Sequence, residues 1–275
     1  MGVVTLDRRI KPAPWNFDPG QVDLAWRWVW ALKPKLALPL WRSAGDLAQR
    51  RWPTTNSITY TPSEYGIAGD FAAARDLIFG LPPGVANPLN RFTVIVRFYP
   101  RTGTAATRIF DFGGPAPGDP AAGLWWDPTN TRVQFVRNQV ANSAIGTAPA
   151  NKWITAGMRM TAAGANGGQG WINDRQVVTW APAAGAAGTG SIGIGNTRTG
   201  TEDLDGLVAV VWFFDCALSN SQLSSLMLDP FGPFRPARRL ALRAPAAGAT
   251  IAAPFGRSRL TPPWSRPGRR FGFYE

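Results

Sequence analysis

The chain has 275 residues, enough for one large β-domain or two small ones around a substantial core. It carries 29 Lys/Arg against 17 Asp/Glu, one cysteine and no histidine. That composition excludes an internal disulfide framework and removes the commonest general base together with the commonest zinc ligand.

The charge is unevenly divided. Residues 1–56 hold nine basic against four acidic side chains, residues 57–228 eleven against eleven, and residues 229–275 nine arginines against Asp229 and Glu275. The formal net charge of +12 therefore belongs to the two ends, +5 and +7, and an acidic partner would be met by them rather than by the neutral middle. No signal-peptide pattern opens the sequence, because Asp7-Arg8-Arg9 is charged and no apolar stretch follows. No run approaches the roughly 20 apolar residues that a membrane helix requires. The expectation is a protein made soluble in the cytoplasm that leaves it only within an assembly, with no membrane partner.

In chain order, residues 1–56 are punctuated by Pro12, Pro14, Pro19, Pro34, Pro39 and Pro53, yet they include Trp15, Trp26, Trp28, Trp30, Trp41 and Trp52. The alternation of Trp26, Trp28 and Trp30 predicts one face of a strand. Indoles need a surface to cover. Either this segment supplies an edge strand and a flap to the domain that follows, or it is an arm that docks on a neighbouring subunit.

Strands are expected from Ser57-Ile58-Thr59-Tyr60 onward, at Tyr65-Gly66-Ile67-Ala68-Gly69-Asp70-Phe71, and most strongly at Phe92-Thr93-Val94-Ile95-Val96-Arg97-Phe98-Tyr99, ended by Pro100. Residues 77–90 read as a proline-rich loop. Arg108-Ile109-Phe110-Asp111-Phe112 and Thr131-Arg132-Val133-Gln134-Phe135-Val136-Arg137 alternate as half-buried strands do. Residues 152–160 alternate again. Residues 170–178 should fold back as a hairpin about Asn173-Asp174, two residues that tolerate positive φ.

Leu207-Val208-Ala209-Val210-Val211-Trp212-Phe213-Phe214 has no polar face, so it should be a central strand covered on both sides. Ser219 then caps a short helix with Leu223, Leu226 and Met227 on one side, ended by Pro230. Beyond it runs an Ala/Pro/Gly/Arg tract with too few large apolar residues for a core, which should be extended until it orders on a partner. Its arginines are interleaved with Phe255, Trp264, Phe271, Phe273 and Tyr274. Short strands at this spacing, with Gly, Pro and Asn between them, argue an all-β antiparallel sandwich with one short helix.

The ordered set Trp153, Trp171-Ile172-Asn173, Ile194-Gly195, Asp205-Gly206, Ala209 and Phe214-Asp215-Cys216-Ala217-Leu218-Ser219 resembles the laminin-G-like, concanavalin A-like jelly-roll domain. Asp174 stands where that family usually has glycine. The resemblance covers residues 57–230 and implies a jelly roll flanked by a Pro/Trp-rich N-terminal arm or flap (1–56) and a basic C-terminal arm (231–275). Phe231-Gly232-Pro233-Phe234-Arg235-Pro236 is similar to the ending of phage-encoded members, and the N-terminal leader is loosely so. The same sandwich hosts lectins, glycosidases, adhesion modules and virion proteins, so the resemblance implies a fold more firmly than a function.

Candidate chemistry is sparse. A glycosidase on this fold would need two carboxylates flanking the bond; the three glutamates, Glu64, Glu202 and Glu275, have no such spacing, and the chain reads as a non-enzyme. Glu202, Asp203 and Asp205 cluster hard oxygen ligands in one loop and form a candidate calcium site, or a solvated acidic turn; no other cofactor is implied. Trp125-Trp126-Asp127 could present an aromatic platform to a glycan, or divide between core and surface. Arg235, Arg238, Arg239, Arg243, Arg266, Arg269 and Arg270 are the candidate attachment residues. No recognised nucleic-acid motif accompanies them. Cys216, beside an apolar run, reads as an inert small hydrophobe. The expectation is a structural virion protein, a capsid decoration or head or tail appendage that contacts the major capsid protein, other virion proteins and copies of itself. The alternative is a carbohydrate-binding or adhesion module that recognises a surface glycan.

Overall fold

The apolar run at 207–214 becomes the axis of the molecule. A computed structural model describes residues 17–236 apart from 73–74, 76, 86–89, 104–105, 114–119, 138–139, 162–166, 183–190 and 197–202; residues 120–121 and 140–147 are described by their strand pairing alone. Within this range the strands in chain order are β1 (Leu36–Pro39), β2 (Thr55–Asn56), β3 (Thr59–Ser63), β4 (Gly66–Phe71), β5 (Leu77–Phe79), β6 (Phe92–Pro100), β7 (Thr107–Gly113) and β8 (Pro120–Asp127). They continue as β9 (Arg132–Arg137), β10 (Val140–Thr147), β11 (Ile154–Met160), β12 (Gly168–Ile172), β13 (Arg175–Trp180), β14 (Ile192–Ile194) and β15 (Gly206–Phe214). Two helices, α1 (Arg27–Ala31) and α2 (Asn220–Leu228), accompany them, neither long enough to cross a membrane.

The strands form two antiparallel sheets. The first is ordered β13-β12-β11-β6-β15-β4-β3, with β1 as its eighth strand; the second is β10-β9-β8-β7-β14-β5-β2. Two short strands share one edge of β15: β4 pairs with Gly206–Val208, and β1 pairs with Val210–Phe213. The other edge pairs with β6, and a bulge lies between Val208 and Val210. That bulge places Val208, Val211 and Phe213 toward the second sheet and Ala209, Val210, Trp212 and Phe214 on the opposite face. Every residue of β15 is buried, as a strand with no polar face requires.

Alternation builds the space between the sheets. Phe92, Val94, Val96 and Phe98 of β6 and Ile154, Ala156, Met158 and Met160 of β11 face inward. They meet Phe110 and Phe112 of β7, Leu124 and Trp126 of β8 and Phe135 of β9. Phe213 sits 5.8 Å from both Phe110 and Phe112, ring centre to ring centre.

A third layer covers the outer face of the first sheet. Leu223, Leu226 and Met227 of α2 pack there, with Trp212, Phe214, Trp171, Phe231 and Phe234. The helix begins as its sequence predicts: the Ser219 hydroxyl accepts from Gln222 N, and the Gln222 side chain accepts from Ser219 N. Asn173 and Asp174, with φ of +47° and +68°, make the tight turn between β12 and β13 that suits the right-handed twist of a hairpin.

Two expectations are corrected. Trp26, Trp28 and Trp30 are not on a strand: Asp23 Oδ1 accepts from Ala25 N at 3.1 Å, starting a 3-10 turn (Leu24–Trp26) that leads into α1. A segment lying over a sheet has no neighbouring strand to satisfy its backbone, and a helix satisfies its own. Residues 77–90 are not all loop, because Leu77 and Phe79 point into the core from β5 between β14 and β2. Of the two readings of residues 1–56, the edge strand and flap matches β1, paired with β15, and β2, at the end of the second sheet; past residue 230, Phe231 and Phe234 are buried. The described residues of the body end at Pro236, which bridges Val22.

Candidate functional site

The acidic loop is occupied by a guanidinium. Arg101 donates to Asp205 Oδ1 and to Asp70 Oδ1, both at 2.9 Å, and its backbone N–H donates to Asp205 O at 2.8 Å. Burial opposes the charge on Arg101, but the hydrogen bonds and charges of Asp205 and Asp70 outweigh it and raise its pKa. Asp205 is thus neutralised by the protein itself. Glu202 lies outside the described residues, and among those described no three acidic or thiol side chains gather around a cation position. This arrangement favours a structural tie between β4, β6 and β15 over the calcium site.

Trp125, Trp126 and Asp127 do not make one surface. Trp126 points inward, is 1% exposed, and donates its indole N–H to Ala148 O at 2.9 Å. Trp125 points outward, opposite Arg108 of β7 and Gln134 of β9. The Arg108 guanidinium lies 4.7 Å from the Trp125 ring centre and bonds Asp111 Oδ2 at 3.0 Å, so a cation already covers an indole face that a sugar would need. Asp127 accepts from Asn130 Nδ2, Arg132 Nε and Gln134 Nε2 at 2.8, 3.1 and 3.2 Å, which closes the β8–β9 turn. Desolvation works to raise its pKa, yet the Asn130 and Arg132 bonds prevail and lower it.

Arg235, grouped by sequence with the arm, belongs to the body. Its guanidinium makes two bonds to Asp229, at 2.7 and 3.0 Å, and its carbonyl accepts from Asp23 N. Arg238, Arg239, Arg243, Arg266, Arg269 and Arg270 lie outside the described residues. Cys216 is half-buried, and burial, then the neighbouring Asp215 charge, push its thiol pKa up, away from reactivity.

A different cluster was not singled out by sequence. On the outer face of the first sheet, beside the third layer, Tyr65, Tyr99 and Trp153 gather with ring centres 5.2 Å (Tyr65–Trp153) and 5.6 Å (Tyr99–Trp153) apart. All three are half-buried. Tyr65 is backed by Phe231, stacked at 5.9 Å. Arg97 lies over the Tyr65 ring at 4.1 Å, donates to the Tyr65 hydroxyl, and donates to Thr155 Oγ1 at 2.7 Å. Its Nε is buried with no hydrogen-bond partner among the described residues. Asn173, at the exposed tip of the β12–β13 hairpin, clamps Thr155 through its Oδ1 at 2.9 Å. Burial raises the Tyr65 pKa, Arg97 lowers it, and the exposed Glu64, hydrogen-bonded to the same side chain, raises it further. The signal was present in sequence: Arg97 and Tyr99 share one face of β6 while Val94, Val96 and Phe98 occupy the other, so a charged residue in the most apolar strand needed a polar purpose on its outer side.

No protein-family model matches the sequence, and no curated protein does so. Solved structures do match the fold. A Trypanosoma rangeli sialidase in complex with 2,3-difluorosialic acid aligns with a TM-score of 0.56 and 16% identity over 71% of this chain, which spans only 32% of the sialidase. Domain 4 of AbnA, a GH43 extracellular arabinanase from Geobacillus stearothermophilus, in complex with arabinotriose, aligns with a TM-score of 0.53 and 16% identity, covering 71% of this chain and 98% of that domain. At such identity the likeness speaks to the fold, and with the two antiparallel sheets it establishes the chain as a jelly-roll β-sandwich.

Proposed function

We propose that this chain is a non-enzymatic structural protein of a phage particle, in which a jelly-roll body of the laminin-G-like type is fastened to the virion by the basic segment 238–275. The observation that carries this reading is the partition of charge. Residues 238–275 hold eight arginines against Glu275 alone. Within the body, by contrast, charged side chains engage one another, as in Arg51–Asp46, Arg101–Asp70, Arg108–Asp111, Arg132–Asp127 and Arg235–Asp229. Residues 1–237 carry 21 basic against 16 acidic side chains, a net of +5, whereas the 38 residues that follow carry +7, so positive charge is several times denser in the tail, which suits attachment to an acidic protein surface on the shell. The engaged aspartates also support a non-enzymatic role, since a carboxylate held by a guanidinium is a poor proton donor. The test is co-sedimentation of full-length protein and of residues 1–237 with particles at two salt concentrations. Release of the truncated form, and of the full-length form at high salt, is expected; equal retention of both would overturn the attachment role.

A second reading, a carbohydrate-binding module, is favoured by one comparison: this chain aligns over 98% of an arabinanase domain that was solved with arabinotriose bound. Binding would then reside in the body and survive removal of residues 238–275. Retardation of the truncated protein in gels containing neutral polysaccharide would support it, and mobility unchanged across a polysaccharide panel would refute it.

A further inference from the structure

We propose that the Tyr65–Tyr99–Trp153 cluster, with Arg97, Glu64 and Asn173 around it, is a saccharide-binding site for a neutral, hydroxyl-rich sugar. This deepens the carbohydrate-binding reading and rests on it. Most aromatic side chains on the outer face of the first sheet are sealed by α2 and the segments beside it: Trp212 and Phe214 are 0% exposed and Trp171 is 7% exposed. Tyr65, Tyr99 and Trp153 pack against the same layer but remain partly exposed. An aromatic surface left partly open, with a few convergent polar groups, is the composition of a small-ligand site.

The polar groups match sugar hydroxyls, which both donate and accept. Arg97 supplies the second N–H of each terminal guanidinium nitrogen, the first being given to Thr155 Oγ1 and to the Tyr65 hydroxyl. Glu64 supplies an exposed carboxylate beside the Tyr65 hydroxyl, and Asn173 supplies an exposed side-chain amide. One cation and one anion bracket the same ring, so the patch is close to neutral and offers no net charge to attract an acidic sugar. The apolar C–H face of a pyranose or furanose would lie on the Trp153 indole, with its hydroxyls directed to Arg97, Glu64 and Asn173.

The floor is rigid. Arg97 and Thr155 are directly opposite on adjacent strands, β6 and β11. Asn173 holds Thr155 by two bonds, accepting from its N–H at 2.9 Å and donating its own backbone N–H to Thr155 O at 2.8 Å. Arg97, Tyr99 and Thr155 sit on these central strands and need little ordering on binding, while Glu64 and Tyr65 come from the β3–β4 turn and Asn173 from the β12–β13 turn.

The experiment is affinity electrophoresis of the full chain and its variants against arabinan, arabinotriose as a competitor, other neutral polysaccharides, and polysialic acid as the acidic comparison. Wild type should be retarded by a neutral polysaccharide and not by polysialic acid. Trp153→Ala should weaken retardation roughly tenfold, the scale of a removed aromatic anchor. Glu64→Ala changes an exposed side chain and should fold normally, so its several-fold loss tests the site even if Trp153→Ala is unstable. Trp125→Ala should bind as wild type does. Binding that survives both Trp153→Ala and Glu64→Ala would overturn this site and leave the carbohydrate-binding reading standing. No retardation of wild type by any polysaccharide would overturn both, and preference for polysialic acid would overturn the neutral-sugar assignment.

Discussion

The indole N–H of Trp30 donates to the carbonyl of Pro233 at 2.8 Å, across 203 residues of chain. The same ring stands edge-on to Trp212 at 5.5 Å and to Phe234 at 6.0 Å. The N-terminal tryptophans and the segment after α2 therefore complete each other over the central strand.

Trp30→Ala should lower stability by about 2–4 kcal/mol, combining a lost aromatic contact with a carbonyl deprived of its donor. Urea unfolding followed by circular dichroism should show a lower midpoint with the β-signal of the folded state retained. An unchanged midpoint would mean that the N-terminal segment is not integral to the fold.

Gly170 offers a test of close packing between the sheets. A Cβ added there would lie 2.3 Å from the Phe135 ring, closer than any real contact. Gly170→Ala should destabilise by roughly 1–3 kcal/mol, and the added change Phe135→Leu should recover part of that loss. A simple sum of the two single costs would argue against direct contact.

Acid should weaken the β8–β9 turn. Asp127 has a folded pKa below its ordinary value, so its contribution is fully present above the unfolded pKa of about 4 and is lost as pH falls through the folded pKa. Unfolding midpoints measured between about pH 2 and 6 should fall less steeply for Asp127→Asn than for wild type. Parallel curves would show that Asp127 is not the group responsible.

Chelation should change nothing. With Arg101 holding Asp205 and Asp70, removal of divalent cations by EDTA should leave the melting temperature as it is in added calcium. A calcium-dependent rise would return the acidic loop to the list of metal sites.

The start of α2 is a local device with a local cost. Ser219→Ala removes the cap on Gln222 N and should destabilise by about 1 kcal/mol, readable as a small shift in urea midpoint. A cost several times larger would indicate that the helix start has a tertiary role beyond capping.

Much of the sandwich was legible because its signals are local. The apolar β15, the alternation of β6, β7 and β9, the Asn173-Asp174 turn and the Ser219 cap each follow from neighbours within a few residues, where period and φ preference decide the outcome. The sequence by itself therefore determined the all-β class, the central strand and the helix that follows it. Only the tertiary structure decided what lies on the outer faces. Trp26, Trp28 and Trp30 alternate like a strand, yet they cover a sheet instead of joining one, since β1 and β4 already share the available edge of β15. Trp125 and Trp153 are both half-buried indoles, but one faces Arg108 and the other faces Tyr65 and Tyr99. Cross-strand register and chain return set those neighbours over dozens of residues, and no local pattern encodes which indole is left open to a ligand.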